Sequence, residues 1–370
     1  MSAIGGIVHR DGRPCDPDAL AALAARLRHR APDGTSTWSD GPAGLTHGRL
    51  ITTPESAHEE QPVADAAARV AITFDGRLDN RTELLRSLGI DSVDHDAIGD
   101  AALVLRLYRA LGTDCVGLLL GDFAFAIWDG PRARLLCARD HLGIRPFCYR
   151  LTPNRIAWAS EAGALARCDS ALPAVNEGMV AEHLSGIITS TSDTVFQDIF
   201  RLRAGHLLTA DAAGIRLRRY WSPDLVTELR YNDPDEYVEQ LRDLVRTAVA
   251  ARLRVAGAAG ISLSGGIDSS AVSGVAATLC REAVVPATHV EAFSLLVSGA
   301  ANERAHWSQV VEHWQLASHT ITGGVLPAGQ LAAEARFYLD VPNSSLAAVT
   351  DWLRIRARER GVREIGRAHV

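Results

Sequence analysis

Residues 261–272, ISLSGGIDSSAV, combine a glycine pair, a carboxylate and several hydroxyl groups between two apolar runs. We expect Ile261–Ser264 to form a buried strand and the residues after Gly266 to form a helix. Gly265 and Gly266 let the backbone turn tightly and approach a ligand closely. The N-terminus of the following helix presents free N–H groups and a positive dipole end, which attract an anion. Three hydroxyl side chains add further donors: Ser264, Ser269 and Ser270.

The charge of Asp268 narrows the chemistry of this predicted anion site. A carboxylate beside phosphate oxygens is repulsive unless a Mg2+ ion lies between them. The loop is not a Walker A motif, because G-x-x-x-x-G-K-[ST] is absent and the chain contains no lysine. A loop that holds the β- and γ-phosphates of ATP suits the adenylylation of a carboxylate with release of pyrophosphate, followed by attack of a nucleophile. The alternative interpretation is a plain glycine turn between a strand and a helix.

The elements around this loop alternate between strand and helix, which favours a parallel sheet in the second part of the chain. The run YVEQLRDLVRTAVAARL is predicted to be a helix that precedes the loop, and EAFSLLV to be the next strand. The first part instead carries many short strand candidates, such as ARVAITFDG and FAFAIWD, and helical patterns such as GDAALVLRLYRALG. The polar residues 223–235 contain two prolines and are predicted to be a linker.

The composition is ordinary for a globular chain of about two domains. The 370 residues are 47% hydrophobic and 22% charged, and the formal net charge of −6 favours neither nucleic acid nor an anionic membrane surface. Six scattered cysteines include no C-x-x-C pair, so we expect free thiols and a cytoplasmic protein. MSAIGGIVHR is unlike a signal peptide. The apolar stretch VGLLLGDFAFAIW is interrupted by Gly121 and Asp122, and we interpret it as a buried strand.

The loop sequence S-G-G-I-D-S-S resembles the pyrophosphate loop of ATP-pyrophosphatase synthetases, especially asparagine synthetase. Upstream strings resemble, in order, the glutaminase domain of that family, and they are RAPDG, HGRL, FDGRLDN, GDFAFAIWD, ARDHLGIRPFCYR and ASE. The resemblance covers nearly the whole chain and implies a mixed α/β fold. It implies an N-terminal-nucleophile domain over 1–222, with two sheets sandwiched between helices. The N-terminal part of a doubly wound parallel-sheet ATP-pyrophosphatase domain, which is incomplete, follows over 236–363.

The glutaminase half departs from the family at its nucleophile. Family glutaminases begin Met-Cys-Gly, and the cysteine thiolate attacks the glutamine amide. Here the chain begins MSAIGG, so Ser2 occupies that position. A serine hydroxyl is a far poorer nucleophile than a partly ionised thiol, although an α-amine can serve as its base.

A second departure lies at the family's N-G-E loop, which helps to form the oxyanion hole and here reads Asp75-Gly76-Arg77. A carboxylate in place of an amide donor repels a developing oxyanion. Arg49 and Asp100 still match the positions that hold the carboxylate and the amine of glutamine. With the nucleophile lost, we interpret these two residues as a surviving salt-bridge framework. The sequence therefore predicts that the protein does not hydrolyse glutamine.

Two groups in the superfamily lose the glutaminase cysteine and cyclise a substrate with an internal amine, namely β-lactam synthetases and lasso-peptide cyclases. The strings MSAIGGIVHRDGRP, ITTPESAHEEQP, DGRLDNRTEL, NERAHW and LDVPNSSLAAVTDWLRIRARERGVR resemble the cyclases. That resemblance implies adenylylation by ATP of an Asp or Glu side chain of a precursor peptide. The N-terminal amine of the peptide then closes a macrolactam, and holding the two groups together supplies much of the rate.

The resemblance also implies roles for residues of the loop and its neighbours. Pyrophosphate would be held by the glycines and serines of the loop, namely Ser264, Gly265, Gly266, Ser269 and Ser270. Mg2+ would be bound by Asp268. Leu263 and Leu295 would flank the adenine, although apolar residues on buried strands are usually just core. Glu303 matches the region near the substrate carboxylate, and capping of a helix is an equal alternative.

The family continues beyond RARERGVR with another strand, a second metal ligand and a lysine. Here the chain instead ends in residues 364–370, EIGRAHV, which carry no strand pattern. We expect this heptapeptide to be a non-native tail, and the chain as it stands to be inactive because an incomplete sheet exposes an apolar edge.

Four functions stay open at this point. Lasso-peptide cyclisation comes first, with a precursor peptide as substrate and the leader peptidase and leader-binding protein of the same pathway as further partners. The alternatives are glutamine-dependent asparagine synthetase, a β-lactam synthetase-like cyclase, and a non-catalytic scaffold that docks a peptide. Neither nucleic acid nor membrane is expected as a partner.

Overall fold

Two antiparallel sheets of six strands each form the N-terminal part of the structure. The computed structural model describes residues 2–90, 97–169, 171–296, 304–322, 328–341 and 345–366. In spatial order, the first sheet consists of Ile199–Arg201 (β10), Cys148–Leu151 (β8), Arg155–Ala159 (β9), Ala3–His9 (β1), Ala43–Gly48 (β3) and Thr35–Asp40 (β2). The second sheet consists of Gly214–Arg219 (β12), His206–Asp211 (β11), Arg134–Arg139 (β7), Gly121–Asp129 (β6), Val70–Leu78 (β5) and Val63–Asp65 (β4).

The helices of this part are Pro17–Arg26 (α1), Arg81–Ser87 (α2), Asp100–Leu111 (α3), Ala162–Ala166 (α4) and Glu177–Ser185 (α5). Short 3-10 turns lie at Arg28–Arg30, Glu55–Ala57 and Gly112–Leu118. Helix α1 starts where Asp16 accepts a hydrogen bond from the Asp18 amide at 2.9 Å and Pro17 takes the first helical position.

Three layers of apolar side chains hold this part together. Ile4 and Trp158 of the first sheet pack against Leu135 and Leu208 of the second. Helices α1 and α4 cover the outer face of the first sheet, and α3 covers that of the second. All seven residues of β1 are buried because both faces of the strand are covered. The predicted sandwich of two sheets between helices is confirmed.

The structure divides into two compact units. The second unit consists of residues 52–54, 224–333 and 342–370, and the first unit consists of the remainder of the chain, including 334–341. The second unit contains a parallel sheet with the spatial order Ala317–Thr322 (β15), Val290–Leu296 (β14), Ala259–Ser262 (β13) and Ile365–Gly366 (β16). The helices of the second unit are Pro234–Arg252 (α6), Ile267–Arg281 (α7), Arg304–Trp314 (α8) and Ser345–Glu359 (α10). Helix Gln330–Tyr338 (α9) is divided between the two units. The predicted parallel sheet is confirmed.

Four boundaries differ from the sequence predictions. Strand β13 ends at Ser262 instead of Ser264, because the backbone turns at Gly265 with a φ of +95°. Strand β6 starts only at Gly121, where a Cβ atom would lie 2.2 Å from the Arg77 carbonyl oxygen. Helix α6 starts at Pro234, inside the predicted linker, because Asp233 caps it. Residues 365–366 pair with β13, so the expectation of no strand after residue 363 was wrong.

None of the helices in the described ranges is long and apolar enough to cross a membrane.

Candidate functional site

The glycine loop between β13 and α7 is built by its own serines. The Gly266 amide donates to Ser264 Oγ at 3.2 Å, and the hydroxyls of Ser264 and Ser269 lie 3.0 Å apart. The hydroxyls of Ser269 and Ser270 donate to the Gly266 carbonyl at 3.1 and 2.8 Å. The structure therefore brings the predicted glycines and serines into one turn, which the serine hydroxyls stabilise by hydrogen bonds.

The N-terminus of α7 is open to an anion. Gly266 is the N-cap residue and provides no side-chain cap. In the described part of the chain, the amides of Ile267, Asp268 and Ser269 donate to no acceptor, whereas the Ser270 amide donates to the Gly266 carbonyl at 3.0 Å. Uncapped N–H groups at a helix start, together with the helix dipole, bind phosphate groups.

Asp268 lies exposed in the first turn of α7. Mg2+ commonly takes one or two protein carboxylates and completes its shell with water and substrate phosphates. A single carboxylate beside an open anion site fits that donor set. The described residues contain no group of three or more His, Cys, Asp or Glu side chains that could hold a metal without such a substrate.

Leu263 directly follows strand β13 and Leu295 lies on the neighbouring strand β14, and the two differ in exposure. Leu263 is 1% exposed and belongs to the core of the second unit. Its amide donates to the Phe293 carbonyl at 3.1 Å and so extends the ladder beyond β13. Leu295 is half-buried in β14, and of the two only Leu295 offers side-chain surface to a ligand. Glu303 lies outside the described residues.

The predicted glutamine pocket of the first unit contains an ionic cluster that centres on Arg30. Its Nε donates to the Ser2 carbonyl at 3.1 Å, and its Nη1 donates to Glu161 Oε1 at 3.2 Å. The third contact joins Arg30 Nη2 to Asp75 Oδ2 at 3.8 Å. The Ser2 hydroxyl makes only a long bond of 3.4 Å to the Leu50 carbonyl. Ser2 and Asp75 therefore both contact Arg30, and the glutamine pocket stays a prediction.

Asp75 lies between two arginines. Its carboxylate is 1% exposed, and Oδ1 lies 3.8 Å from Arg145 Nη1 on the side away from Arg30. Neighbouring Gly76 has a φ of +157°, and a Cβ atom there would lie 2.2 Å from the Asp122 carbonyl oxygen. Arg77 is also buried, with its Nε 3.4 Å from Asp79 Oδ1. The position that resembles the family's oxyanion loop thus carries a buried carboxylate with a guanidinium group on either side.

Two other titratable groups in this region have shifted pKa values. Burial lowers the pKa of His47 to about 4 against the attraction of Asp75, so the imidazole is neutral at pH 7. Burial tends to raise the pKa of Glu161, but the hydrogen bond from His29 and the charge of Arg30 outweigh it and lower that pKa.

Arg49 and Asp100 have separate sets of partners. Arg49 Nη2 donates to the carbonyls of Ser56 at 3.0 Å and Ala57 at 2.7 Å. Asp100 accepts from the Leu78 amide at 2.9 Å and forms a close ion pair with Arg81. The described contacts join neither residue to the cluster around Arg30.

Glu59 caps the N-terminus of α3, next to Asp100. Its carboxylate accepts from the Ala102 amide at 2.9 Å and from the Ala101 amide at 3.4 Å. Burial raises the pKa of Glu59 to about 7, and the negative charge of Asp100 adds to that rise.

Sequence reasoning missed the roles of Arg30, Arg145, Glu161 and Glu59. The first three lie inside strings that had been matched to the family, RAPDG, ARDHLGIRPFCYR and ASE. The available signal was the reversal of charge at Arg77 and the added acid at Asp75. Such changes require compensating charges nearby, but the sequence does not say which arginines supply them.

Comparisons with known proteins agree with this geometry in both units. The profile of the family described as glutamine amidotransferase domain matches residues 1–221, and that of asparagine synthase matches residues 240–363. The chain belongs to the asparagine synthetase superfamily. The predicted resemblance is confirmed at that level.

Two curated relatives of this chain are named as glutamine-hydrolysing asparagine synthetases. Asparagine synthetase [glutamine-hydrolyzing] 3 of Bacillus subtilis is 30% identical over 71% of this chain and 43% of its own length. Putative asparagine synthetase [glutamine-hydrolyzing] 2 of Methanocaldococcus jannaschii is 26% identical over 86% of this chain and 64% of its own length. The chain thus spans about half the length of the curated relatives it matches.

Among solved structures, glutamine phosphoribosylpyrophosphate amidotransferase from B. subtilis, complexed with ADP and GMP, aligns with a TM-score of 0.43 at 13% identity. The alignment covers 100% of this chain and 91% of that one. The fold assignment rests on the two sandwiched sheets and the parallel sheet described above.

Proposed function

We propose that this superfamily member forms an amide bond at the expense of ATP, through an acyl-adenylate and with release of pyrophosphate. The substrate we propose is a precursor peptide, in which an Asp or Glu side chain joins the N-terminal amine as a macrolactam. One observation carries the proposal: the phosphate loop keeps its open amides, while the oxyanion position of the glutamine pocket carries the buried carboxylate of Asp75.

The residues of the loop would bind the nucleotide. The free amides at the start of α7 would hold phosphate oxygens, and the hydroxyls of Ser264, Ser269 and Ser270 would turn from the backbone toward them. Asp268 would hold Mg2+, which neutralises phosphate charge when bound. A peptide carboxylate oxygen attacks the α-phosphorus and pyrophosphate leaves. The amine then attacks the acyl carbon, AMP leaves, and the amine loses a proton.

The first unit supports an internal amine over ammonia from glutamine. Ser2 replaces the thiol, and a serine hydroxyl is a far poorer nucleophile than a partly ionised thiol; in the structure this hydroxyl donates to the Leu50 carbonyl at 3.4 Å. An oxyanion formed in this pocket would meet the carboxylate of Asp75. An enzyme whose substrate carries its own amine has no use for released ammonia.

Glutamine-hydrolysing asparagine synthesis is the second candidate. The names of the two curated relatives favour it, and so does the retention of Arg49 and Asp100 at the matched positions. Aspartate would then be the acid, and glutamine or free ammonia would supply the nitrogen.

Mass spectrometry separates the candidates. The assay uses a longer form of the protein, with the strand, second metal ligand and lysine that the family carries beyond residue 363. It is incubated with ATP, Mg2+ and either a short precursor-like peptide with a free N-terminus and an Asp or Glu, or aspartate plus glutamine, while pyrophosphate is followed. We expect the peptide to lose one water, and the product to disappear in Asp268→Asn. Asp243→Asn, at an exposed position of α6, is the matched control and should keep full activity. Formation of asparagine instead would contradict the proposal.

If the peptide is the substrate, the proteins that make and deliver it become candidate partners. We propose a leader peptidase and a leader-binding protein of the same pathway, because the reacting amine must be freed before the ring closes. Co-purification of the protein with these partners, in the presence and absence of the precursor, tests this.

A further inference from the structure

A cleft of about 320 Å3 opens at the end of the first unit, where the space between its two sheets reaches the surface. Its floor is apolar, with Tyr149 and Phe200 from one sheet and Leu217 from the other. The rings of Tyr149 and Phe200 lie 5.9 Å apart. Leu217 is 53% exposed although it lies opposite the fully buried Leu208 on the neighbouring strand. The floor is therefore a continuation of the core that the protein leaves uncovered.

Three arginines and one acid, Asp193, line the cleft, so its rim is basic on balance in a chain whose formal net charge is −6. Arg203 and Arg219 are exposed, and neither has an acidic partner in the described part of the chain. Arg201 is already engaged, with the Asp193 carbonyl and with Asp340 at 3.4 Å. Two guanidinium groups thus stay available to an anionic ligand, at the edge of an apolar floor.

One wall of the cleft is an open strand edge. Strand β12 lies at the end of its sheet and, among the described residues, hydrogen-bonds only to β11. The exposed side chains of Arg216 and Arg218 carry positive charge along the same strand, where each contacts one acid, Asp211 at 3.5 Å and Asp114 at 3.7 Å. A free edge offers main-chain donors and acceptors to an extended chain, and pockets beside it select alternate side chains.

We propose that this cleft binds an extended acidic peptide segment along the edge of β12. An apolar side chain of the peptide would pack on Tyr149, Phe200 and Leu217, and its carboxylates would pair with Arg203 and Arg219. The strand edge and the spread of positive charge along β12 favour a peptide over a small anion, which needs donors that converge on one point. The inference is independent of the chemistry proposed for the phosphate loop.

Fluorescence anisotropy of the full chain with a fluorescein-labelled decapeptide of alternating Leu and Glu tests this. The charge-reversed variant Arg203→Glu/Arg219→Glu should weaken binding about tenfold or more, since each reversal replaces an attraction by a repulsion. The same variant should gain affinity for a second labelled decapeptide, of alternating Leu and Lys. Circular dichroism checks that the variants remain folded.

The matched control is Arg86→Glu/Arg106→Glu, which changes the net charge equally at exposed positions of α2 and α3. It should bind within about twofold of the parent protein. Equal loss in both double variants would reduce the effect to net charge and overturn the proposal. The proposal would also be overturned if the peptide did not bind. Full competition by free glutarate would overturn it as well, because it would show that the cleft binds small anions.

Discussion

The buried carboxylate of Asp75 is the feature that most changes the expected behaviour of the first unit, and Asp75→Asn tests its role. The carboxylate lies 3.8 Å from one guanidinium nitrogen of Arg30 and 3.8 Å from one of Arg145. At that distance each attraction amounts to about 4 kcal/mol for an effective dielectric constant of about 20. The desolvation of Asp75 offsets a large part of it.

After the substitution Arg30 keeps Glu161 at 3.2 Å, but Arg145 loses the acid described beside it. Removing one partner of a buried ion pair typically costs about 3–5 kcal/mol, and the absence of a direct hydrogen bond here places the expected loss at about 2–4 kcal/mol. Urea unfolding followed by tryptophan fluorescence measures it. The double variant Asp75→Asn/Arg145→Gln should recover about 1–3 kcal/mol relative to the sum of the single changes.

Asp40→Asn provides the matched control, because Asp40 pairs with Arg69 at 2.9 Å on the surface. Its expected cost is below about 1 kcal/mol. An Asp75→Asn variant as stable as the parent protein, or strictly additive changes at Asp75 and Arg145, would refute the electrostatic reasoning.

Three further predictions concern other parts of the structure. Gly265→Ala should cost about 1–2 kcal/mol of unfolding free energy and weaken binding of a fluorescent ATP analogue, because Gly265 has a φ of +95°; unchanged binding would contradict this. Gly99→Ala should lower the free energy of unfolding in urea by about 1–3 kcal/mol, because the added Cβ atom would lie 2.1 Å from the Glu59 carboxyl. Gly117→Ala is the control and should not destabilise the protein, since no atom from another part of the chain lies within 4 Å of the added Cβ atom there. The raised pKa of Glu59 should make stability fall as pH rises from 4.5 to about 7, by up to about 3 kcal/mol, and stay level above; a Glu59→Gln variant with the same pH dependence would argue against it.

The sequence predicted the strand–turn–helix at residues 259–281 because that arrangement depends on local pattern. A glycine pair after an apolar strand and before a helix constrains the backbone by itself, whereas the sandwich of two sheets was implied by the resemblance of the N-terminal strings to the family. The loop's serines also bond within a few residues of their own positions. Such short-range relations can be recognised in one dimension.

The ionic cluster could not be predicted in the same way. Arg30, Asp75 and Arg145 come from three distant segments, and only the folded sheets bring their charges within 3.8 Å. The burial of the Leu263 side chain also depends on tertiary packing, because a residue that follows a central parallel strand can face either the core or a ligand. The pairing of residues 365–366 with β13 depends on the free edge of that strand, which no local signal in EIGRAHV reveals.

The central claim is that the first unit has lost glutamine hydrolysis while the second keeps the means to use ATP. The most direct test is the release of glutamate from glutamine by the protein and by Ser2→Ala, with and without ATP. We expect no release above that of Ser2→Ala under either condition. Glutamate release that scales with protein concentration and vanishes in Ser2→Ala would show that Ser2 is a working nucleophile and contradict it.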